Sequence, residues 1–305
     1  MAEFKFFCPR CGQNVQCDTG YSGTQINCPA CQQAIVVPQP PPDAGATPAP
    51  AKSQTMRNVL VIAASLIVLV GLVTAGWLGY SKYKRGHLPP DLVGLWSGED
   101  GGNDLVGGSK AKLTDITFAE GKVGKAFSFN GTSSSIKIAA NSNLNVGAGN
   151  GFTITAWINP SDVSQSHPIV EWNTGSGALG VHFYISVTFP GNLYASIMDS
   201  GGSGHQIYTK SAVVSANVFQ HVALTYDKAS GVATLYCNGS VVLQQVLGSF
   251  TPQTTFDLYL GKRPLTRGDT FSSGSLTFAG LLDEAAIYNC ALSASEIQTI
   301  YAGQK

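Results

Sequence analysis

Hydrophobic and polar positions divide the chain into stretches of different kinds. Residues 58–80 read NVLVIAASLIVLVGLVTAGWLGY and carry no charged side chain, with Arg57 before them and Lys82, Lys84 and Arg85 behind. About 20 apolar residues cross the hydrocarbon core of a bilayer, so this run predicts one membrane-spanning helix. Trp77, Tyr80 and Tyr83 stand at its end, where amphipathic rings favour the headgroup layer. A soluble helix of this length would keep a polar face, and a signal peptide would start at the N-terminus with a shorter apolar core.

After a short hinge at residues 81–90 the pattern changes to strand-like alternation. AFSFNG, SSIKIA, FTITAWINP, HPIVEW, GVHFYISV, NLYASIMD, FQHVALTYD, VATLYCNG, VVLQQV, DLYLG and LLDEAAIYN are apolar-polar runs split by Gly, Asn, Asp and Pro. Asn238-Gly239 between two such runs is the strongest hairpin signal in the chain. One helix is expected at the end, where Ser293 and Glu296 form a capping box ahead of Ile297, Ile300 and Tyr301. So many short runs with little helix between them predict a mainly β domain over residues 91–305, an antiparallel two-sheet sandwich.

Ahead of the apolar run, residues 1–37 hold Cys8-Pro-Arg-Cys11-Gly and Cys28-Pro-Ala-Cys31, two CxxC knuckles 16 residues apart. That spacing lets four thiolates reach one ion from two tight turns, and a tetrahedral set of soft ligands suits Zn²⁺. About 35 residues bury too little apolar surface to fold alone, so the expected role is structural. A catalytic zinc would need an open position, and no His or carboxylate flanks either knuckle to suggest one. Cys17 lies outside both knuckles and reads as a spectator. Residues 38–57 begin PQPPPDAGATPAPAKS, a Pro- and Ala-rich spacer. The ribbon segment resembles the small zinc-ribbon domains at the N-termini of many bacterial membrane proteins, which share the CPxCG knuckle, a mid-segment Gly (Gly23) and a second CPxC followed by a short apolar strand. The resemblance implies zinc and a cytosolic face.

Charge narrows the classes further. The 18 Lys and Arg balance 18 Asp and Glu, so no nucleic-acid partner is expected. Topology pits two signals against each other. Lys52 and Arg57 precede the apolar run while three basic residues follow it, which by one charge puts the C-terminal side inside. A four-thiolate site belongs in a reducing compartment, and that argument is the weightier: N-terminus cytosolic, C-terminal domain extracytoplasmic, in the inner membrane of a bacterium. Cys237 and Cys290, the two cysteines beyond the run, could then pair as a disulfide, which sequence alone does not establish.

In the C-terminal part, GLWSGEDGGNDLVGG, GKVGKAFSFNG, FTITAWINP, FQHVALTYDKASGVATLYCNG and FAGLLDEAAIYNCALSASEIQTIY occur in order. These blocks resemble the laminin-G-like jelly roll of the concanavalin A-like lectin and glucanase superfamily, from about Leu92 to Tyr301. The resemblance implies a module that binds glycans or proteins, often with a structural Ca²⁺. Asp100, Asn103 and Asp104 form an oxygen-rich turn that either ligates Ca²⁺, joined by Asp283, or merely caps itself. Trp172 beside Glu171 is the candidate sugar-stacking residue, whereas Trp157 reads as core. Glycan hydrolases of this superfamily use carboxylates at alternate positions of one strand; here Glu171 stands alone and Asp283-Glu284 are adjacent, hence expected on opposite faces. There is no GxSxG elbow, and His221 in an alternating strand reads as packing. The expected function is therefore a single-pass membrane protein presenting a non-catalytic recognition domain. Two other readings remain: a scaffold whose ribbon recruits a cytosolic protein, and a divergent glycan hydrolase.

Overall fold

The computed structural model describes residues 3–39, 91–99, 101–264 and 276–304. The predicted span at 58–80, the 81–90 hinge, most of the spacer and Asp100 lie outside the described residues. Among the described residues no helix is long and apolar enough to cross a membrane. The described residues fall in two units, taken separately below.

In the N-terminal unit, β1 (Glu3–Phe7) pairs antiparallel with β2 (Asn14–Asp18), and β3 (Gln25–Asn27) pairs with β4 (Ala34–Val36). Its buried cluster consists of Cys8, Val15, Cys28 and Ile35, with Phe6, Ile26 and Cys31 packed alongside. A core in which the cysteines are so large a share is too small to hold two hairpins by apolar burial alone.

The C-terminal unit is built from β5 (Leu92–Trp96), β6 (Lys112–Thr114), β7 (Thr117–Glu120), β8 (Lys125–Asn130), β9 (Ser135–Ile138), β10 (Gly151–Pro160) and β11 (His167–Asn173). The chain continues through β12 (Leu179–Ile185), β13 (Leu193–Met198), β14 (Gly204–Tyr208), β15 (Gln220–Asp227), β16 (Val232–Cys237) and β17 (Ser240–Val246). It closes with β18 (Asp257–Leu260), β19 (Lys262–Arg263), β20 (Leu276–Thr277), β21 (Ala279–Tyr288) and helix α1 (Ala294–Gly303). One sheet has eight strands in the order β17-β16-β15-β10-β21-β8-β7, with β5 sharing the edge of β21 that β8 occupies lower down; the other has seven, β14-β13-β12-β11-β18-β9-β6. The pairings within both sheets are antiparallel, so the mainly β two-sheet sandwich is as expected.

Alternation drives this packing. Ile154, Leu224 and Leu282 from one sheet and Phe183, Ile197 and Leu258 from the other belong to a single buried cluster between the sheets. The reverse face of the eight-stranded sheet is covered too. Leu92, Leu95, Tyr236, Ala286, Tyr288, Leu292 and Ile297 form a second cluster, to which α1 contributes Ile297. The Ser293–Glu296 capping box is present as expected, each side chain bonding the other's backbone N–H. The Asn238-Gly239 turn is also present: both residues have positive φ, 51° and 77°, the requirement of a two-residue hairpin. Glycine is needed at 239 for a second reason, since a Cβ there would lie 2.8 Å from the Tyr301 ring of α1.

Candidate functional site

The two knuckles of the N-terminal unit are built alike. The Cys8 amide donates to the Gln13 carbonyl and the Gly12 amide to Cys8; the Cys28 amide donates to Gln33 and the Gln32 amide to Cys28. Gly12 and Gln32, equivalent in the two turns, both sit at positive φ. The turns bring all four sulfurs within 4.8 Å of one another, with Cys8–Cys31 at 4.0 Å and Cys11–Cys28 at 3.7 Å. Disulfide bonding would need about 2 Å. Thiolates about 2.3 Å from a tetrahedral ion would stand roughly 3.8 Å apart, so the geometry fits Zn²⁺. Backbone amides of Cys31 and Ala30 lower the Cys28 thiol to about 6. The Gln13 amide favours the Cys11 thiolate, but burial and the three neighbouring sulfurs outweigh it and push Cys11 up to about 12. Cys17 sits opposite Phe4 in the β1–β2 pair and is not in the cluster.

On the outer face of the seven-stranded sheet, registers align a row of rings. Tyr184 on β12 lies opposite Tyr194 on β13, which lies opposite Tyr208 on β14. His182 stacks on Tyr194 with centroids 6.2 Å apart, and Tyr194 on Tyr208 at 6.1 Å. A groove of about 240 Å³ is lined by His182, Tyr184 and Tyr194, all three themselves buried, and by Ser196, Gln206 and Arg263, whereas Tyr208 lies outside it. Beneath it Glu171 is fully buried: it accepts from the Tyr184 hydroxyl and from Asn173 Nδ2 (2.7 Å), and its Oε2 lies 3.9 Å from Arg263 Nη1. Burial and the Arg263 charge hold His182 down to about 4, so its ring is neutral at pH 7. Burial first, then the Glu171 charge, pushes the Tyr184 hydroxyl well above its ordinary value. Sequence reading found Glu171 but none of the tyrosines. The signal was present, an aromatic residue at an outward position of three consecutive strands, but only the register shows that they line up.

Trp172, the expected stacking residue, is placed otherwise. It is fully buried between the sheets, so its ring is closed to a sugar. Strand β11 is covered on both faces, all seven residues being buried, and alternation there does not distinguish inside from outside. Trp157 is buried as expected, but on the reverse face of the eight-stranded sheet, its Nε1 donating to Gln304 Oε1 at 2.9 Å.

The acidic residues also regroup. Asp104 accepts from the backbone amides of Leu95, Val106, Gly107 and Ser109, so its carboxylate caps its own turn; Asn103 is exposed and bridges to Lys110. Asp283 instead joins Glu99 and Glu284, with carboxylate oxygens within 4.8 Å of one another. Asp283 and Glu284 were expected on opposite faces, and a bulge overturns that. Between Thr155 and Trp157 of β10 the opposing strand carries an extra residue, and Glu284 has φ +48°. Asp283 Oδ2 accepts from the amides of Lys122 and Val123 at 2.9 Å, while its buried Oδ1 has no hydrogen-bond partner among the described residues. Three carboxylates with an orphaned oxygen fit a hard cation such as Ca²⁺.

Cys237 and Cys290 are free thiols and cannot pair as they stand: Cys237 belongs to the cluster between the sheets and Cys290 to the one on the reverse face.

A family model described as the concanavalin A-like lectin/glucanases superfamily matches residues 130–298, more than half of the chain. Among solved structures, the binding domain of Paraclostridial Mosquitocidal Protein 1 is similar at 18% identity and TM-score 0.54, covering 70% of this chain and 52% of that one. Domain 4 of AbnA, a GH43 extracellular arabinanase from Geobacillus stearothermophilus solved with arabinotriose, is similar at 19% identity and TM-score 0.51, covering 69% and 98%. The binding domain of botulinum neurotoxin DC, solved with rat synaptotagmin II, is similar at 12% identity and TM-score 0.55, covering 70% and 52%. The match spans about half the length of the two toxin domains. No curated protein matches the sequence.

Proposed function

The chain belongs to the concanavalin A-like lectin/glucanases superfamily, and from that premise we propose that it is a non-catalytic recognition protein of a bacterial inner membrane. Its jelly roll binds a glycan or protein ligand on the extracytoplasmic side, residues 58–80 span the bilayer, and the N-terminal ribbon holds a structural Zn²⁺ in the cytosol.

The observation that carries the reading is the groove on the seven-stranded sheet, lined by the apolar Leu179, Val187 and Met198 and by a few convergent polar groups, Ser196, Gln206 and Arg263. The non-catalytic assignment is supported by the disposition of carboxylates. A glycosidase needs two of them flanking the scissile bond. Among the described residues Glu171 is the carboxylate beneath the groove, fully buried and bonded to Tyr184 and Asn173. Asp283 and Glu284 are close to each other but buried on the other sheet, with no room for a sugar between them. The family resemblance supports Ca²⁺, and among the described residues those that fit it are Glu99, Asp283 and Glu284 rather than Asn103 and Asp104. Zn²⁺ on Cys8, Cys11, Cys28 and Cys31 would supply the ribbon with the cohesion its apolar core lacks.

The test is to display the full chain in lipid nanodiscs on glycan and protein arrays, with and without Ca²⁺. Ligand capture without turnover is expected, and turnover of a captured glycan would overturn the assignment. Reporter fusions at the two ends check the orientation.

A further inference from the structure

Resting on the Ca²⁺ reading above, we infer that helix α1 completes the cation site from outside it: Gln304 positions Glu284, so that cation binding by Glu99, Asp283 and Glu284 and docking of α1 on the sheet are coupled.

The coupling runs through one side chain. Gln304 caps the C-terminus of α1; its Oε1 accepts from Trp157 Nε1 at 2.9 Å and its Nε2 donates to Glu284 Oε2 at 3.1 Å. An indole N–H can only donate, which fixes the end of the amide that faces Trp157 and turns the donor end to Glu284. Trp157 stands opposite Asp283 in the β10–β21 register, so the two groups that hold Gln304 flank Asp283, one across the strand pair and one next along β21. Lys122 ties the same parts together. Its amide donates to Asp283 Oδ2, and its ammonium lies 5.0 Å from the centre of the Trp157 ring. Tyr301, three residues before Gln304 on α1, lies 5.6 Å from that ring.

The acidic cluster needs what the helix supplies. Glu284 sits at φ +48°, in the left-handed region that a residue with a Cβ adopts only when its surroundings hold it there. Its carboxylate lies within 4.8 Å of those of Glu99 and Asp283, and three like charges at that range push one another apart. The Gln304 amide holds Glu284 against this repulsion. A cation removes the repulsion and gives a partner to the fully buried Asp283 Oδ1, which has no hydrogen bond among the described residues. A carboxylate oxygen has two lone pairs, so Glu284 ligates and still accepts from Gln304.

Cation and helix therefore favour the same position of Glu284. Groups that orient a metal ligand from behind contribute about 10–100-fold in affinity. Coupling is reciprocal, so the factor by which a docked α1 tightens the cation is the factor by which the cation favours docking. The helix is poised to respond, because Ile297 alone of its described residues is buried.

The experiment titrates Ca²⁺ into the full chain in nanodiscs by calorimetry and follows hydrogen exchange of the 294–303 amides with and without Ca²⁺. Exchange in α1 is expected to slow at least tenfold when Ca²⁺ is bound. Gln304→Met keeps the bulk of the side chain and removes both of its bonds; it should weaken Ca²⁺ at least tenfold and lose most of the slowing. Glu99→Gln, at an exposed position, should weaken Ca²⁺ at least tenfold and leave α1 exchanging as in metal-free wild type. Equal Ca²⁺ affinity in Gln304→Met, or α1 exchange indifferent to Ca²⁺ in a wild type that binds it, overturns the inference and leaves the Ca²⁺ site standing. No Ca²⁺ binding by wild type, or binding undiminished in Glu99→Gln, refutes the Ca²⁺ reading at these residues and the inference with it.

Discussion

Trp157 and His221 meet edge to face, ring centroids 5.4 Å apart, and Tyr301 of α1 lies against both. His221 is 1% exposed, and neither ring nitrogen has a hydrogen-bond partner among the described residues. Burial holds its pKa down to about 4 from an ordinary 6.5. A base whose folded pKa is depressed stabilises the fold above its unfolded pKa, and that stability is lost as pH falls through the folded value. Wild type should therefore lose up to about 3 kcal/mol between pH 6.5 and 4 relative to His221→Phe. Urea unfolding of both proteins across that range checks it; parallel curves would refute it.

Trp172→Ala should cost about 3–5 kcal/mol, the usual range for emptying a large aromatic site in a core. Trp172→Phe should cost less and keep glycan affinity within a few-fold of wild type. Denaturant midpoints and calorimetry separate the two effects. A large affinity loss in a Trp172→Phe protein of near-native stability would restore the tryptophan as a ligand contact.

One Zn²⁺ per chain is expected by elemental analysis. Cys28→Ser should lose it and the order of residues 3–39, whereas Cys17→Ser should keep both, because Cys17 lies outside the cluster. Amide signals of the jelly roll should be unaffected by either change. Full occupancy in Cys28→Ser would be the contrary result.

Thiol labelling distinguishes the two C-terminal cysteines. Burial, followed by the Asp91 and Glu296 carboxylates, pushes Cys290 up to about 11, so its reaction with a disulfide reagent should be slow at pH 7 and accelerate as pH rises toward that value. Cys237, buried, should react only on unfolding. Non-reducing and reducing gels should show no difference attributable to this pair.

Signals that are local in sequence carried over to the structure. The CxxC knuckles, the Asn238-Gly239 turn and the Ser293–Glu296 box each act within a few residues, and each stands where expected. What was hidden depends on neighbours far away in the chain. One extra residue in β21 against β10 turned Asp283 and Glu284 to the same side, which a period of two cannot anticipate. Trp172 and Glu171 lie on a strand covered on both faces, so polarity marks no surface there. The Tyr184–Tyr194–Tyr208 row exists only through the pairing of three strands.

The position of β21 bears on how the domain is made. It is the last strand among the described residues, yet it lies in the interior of the eight-stranded sheet, joining β10 on one edge to β8 and β5 on the other. During synthesis the earlier strands emerge without the partner that connects them, so the sheet closes only after residue 288 has left the ribosome. Pairings such as Ala285 with Trp96 span most of the domain, and closing such long loops is slow. The nascent domain thus stays without its completed sheet until nearly all of its strands have been made.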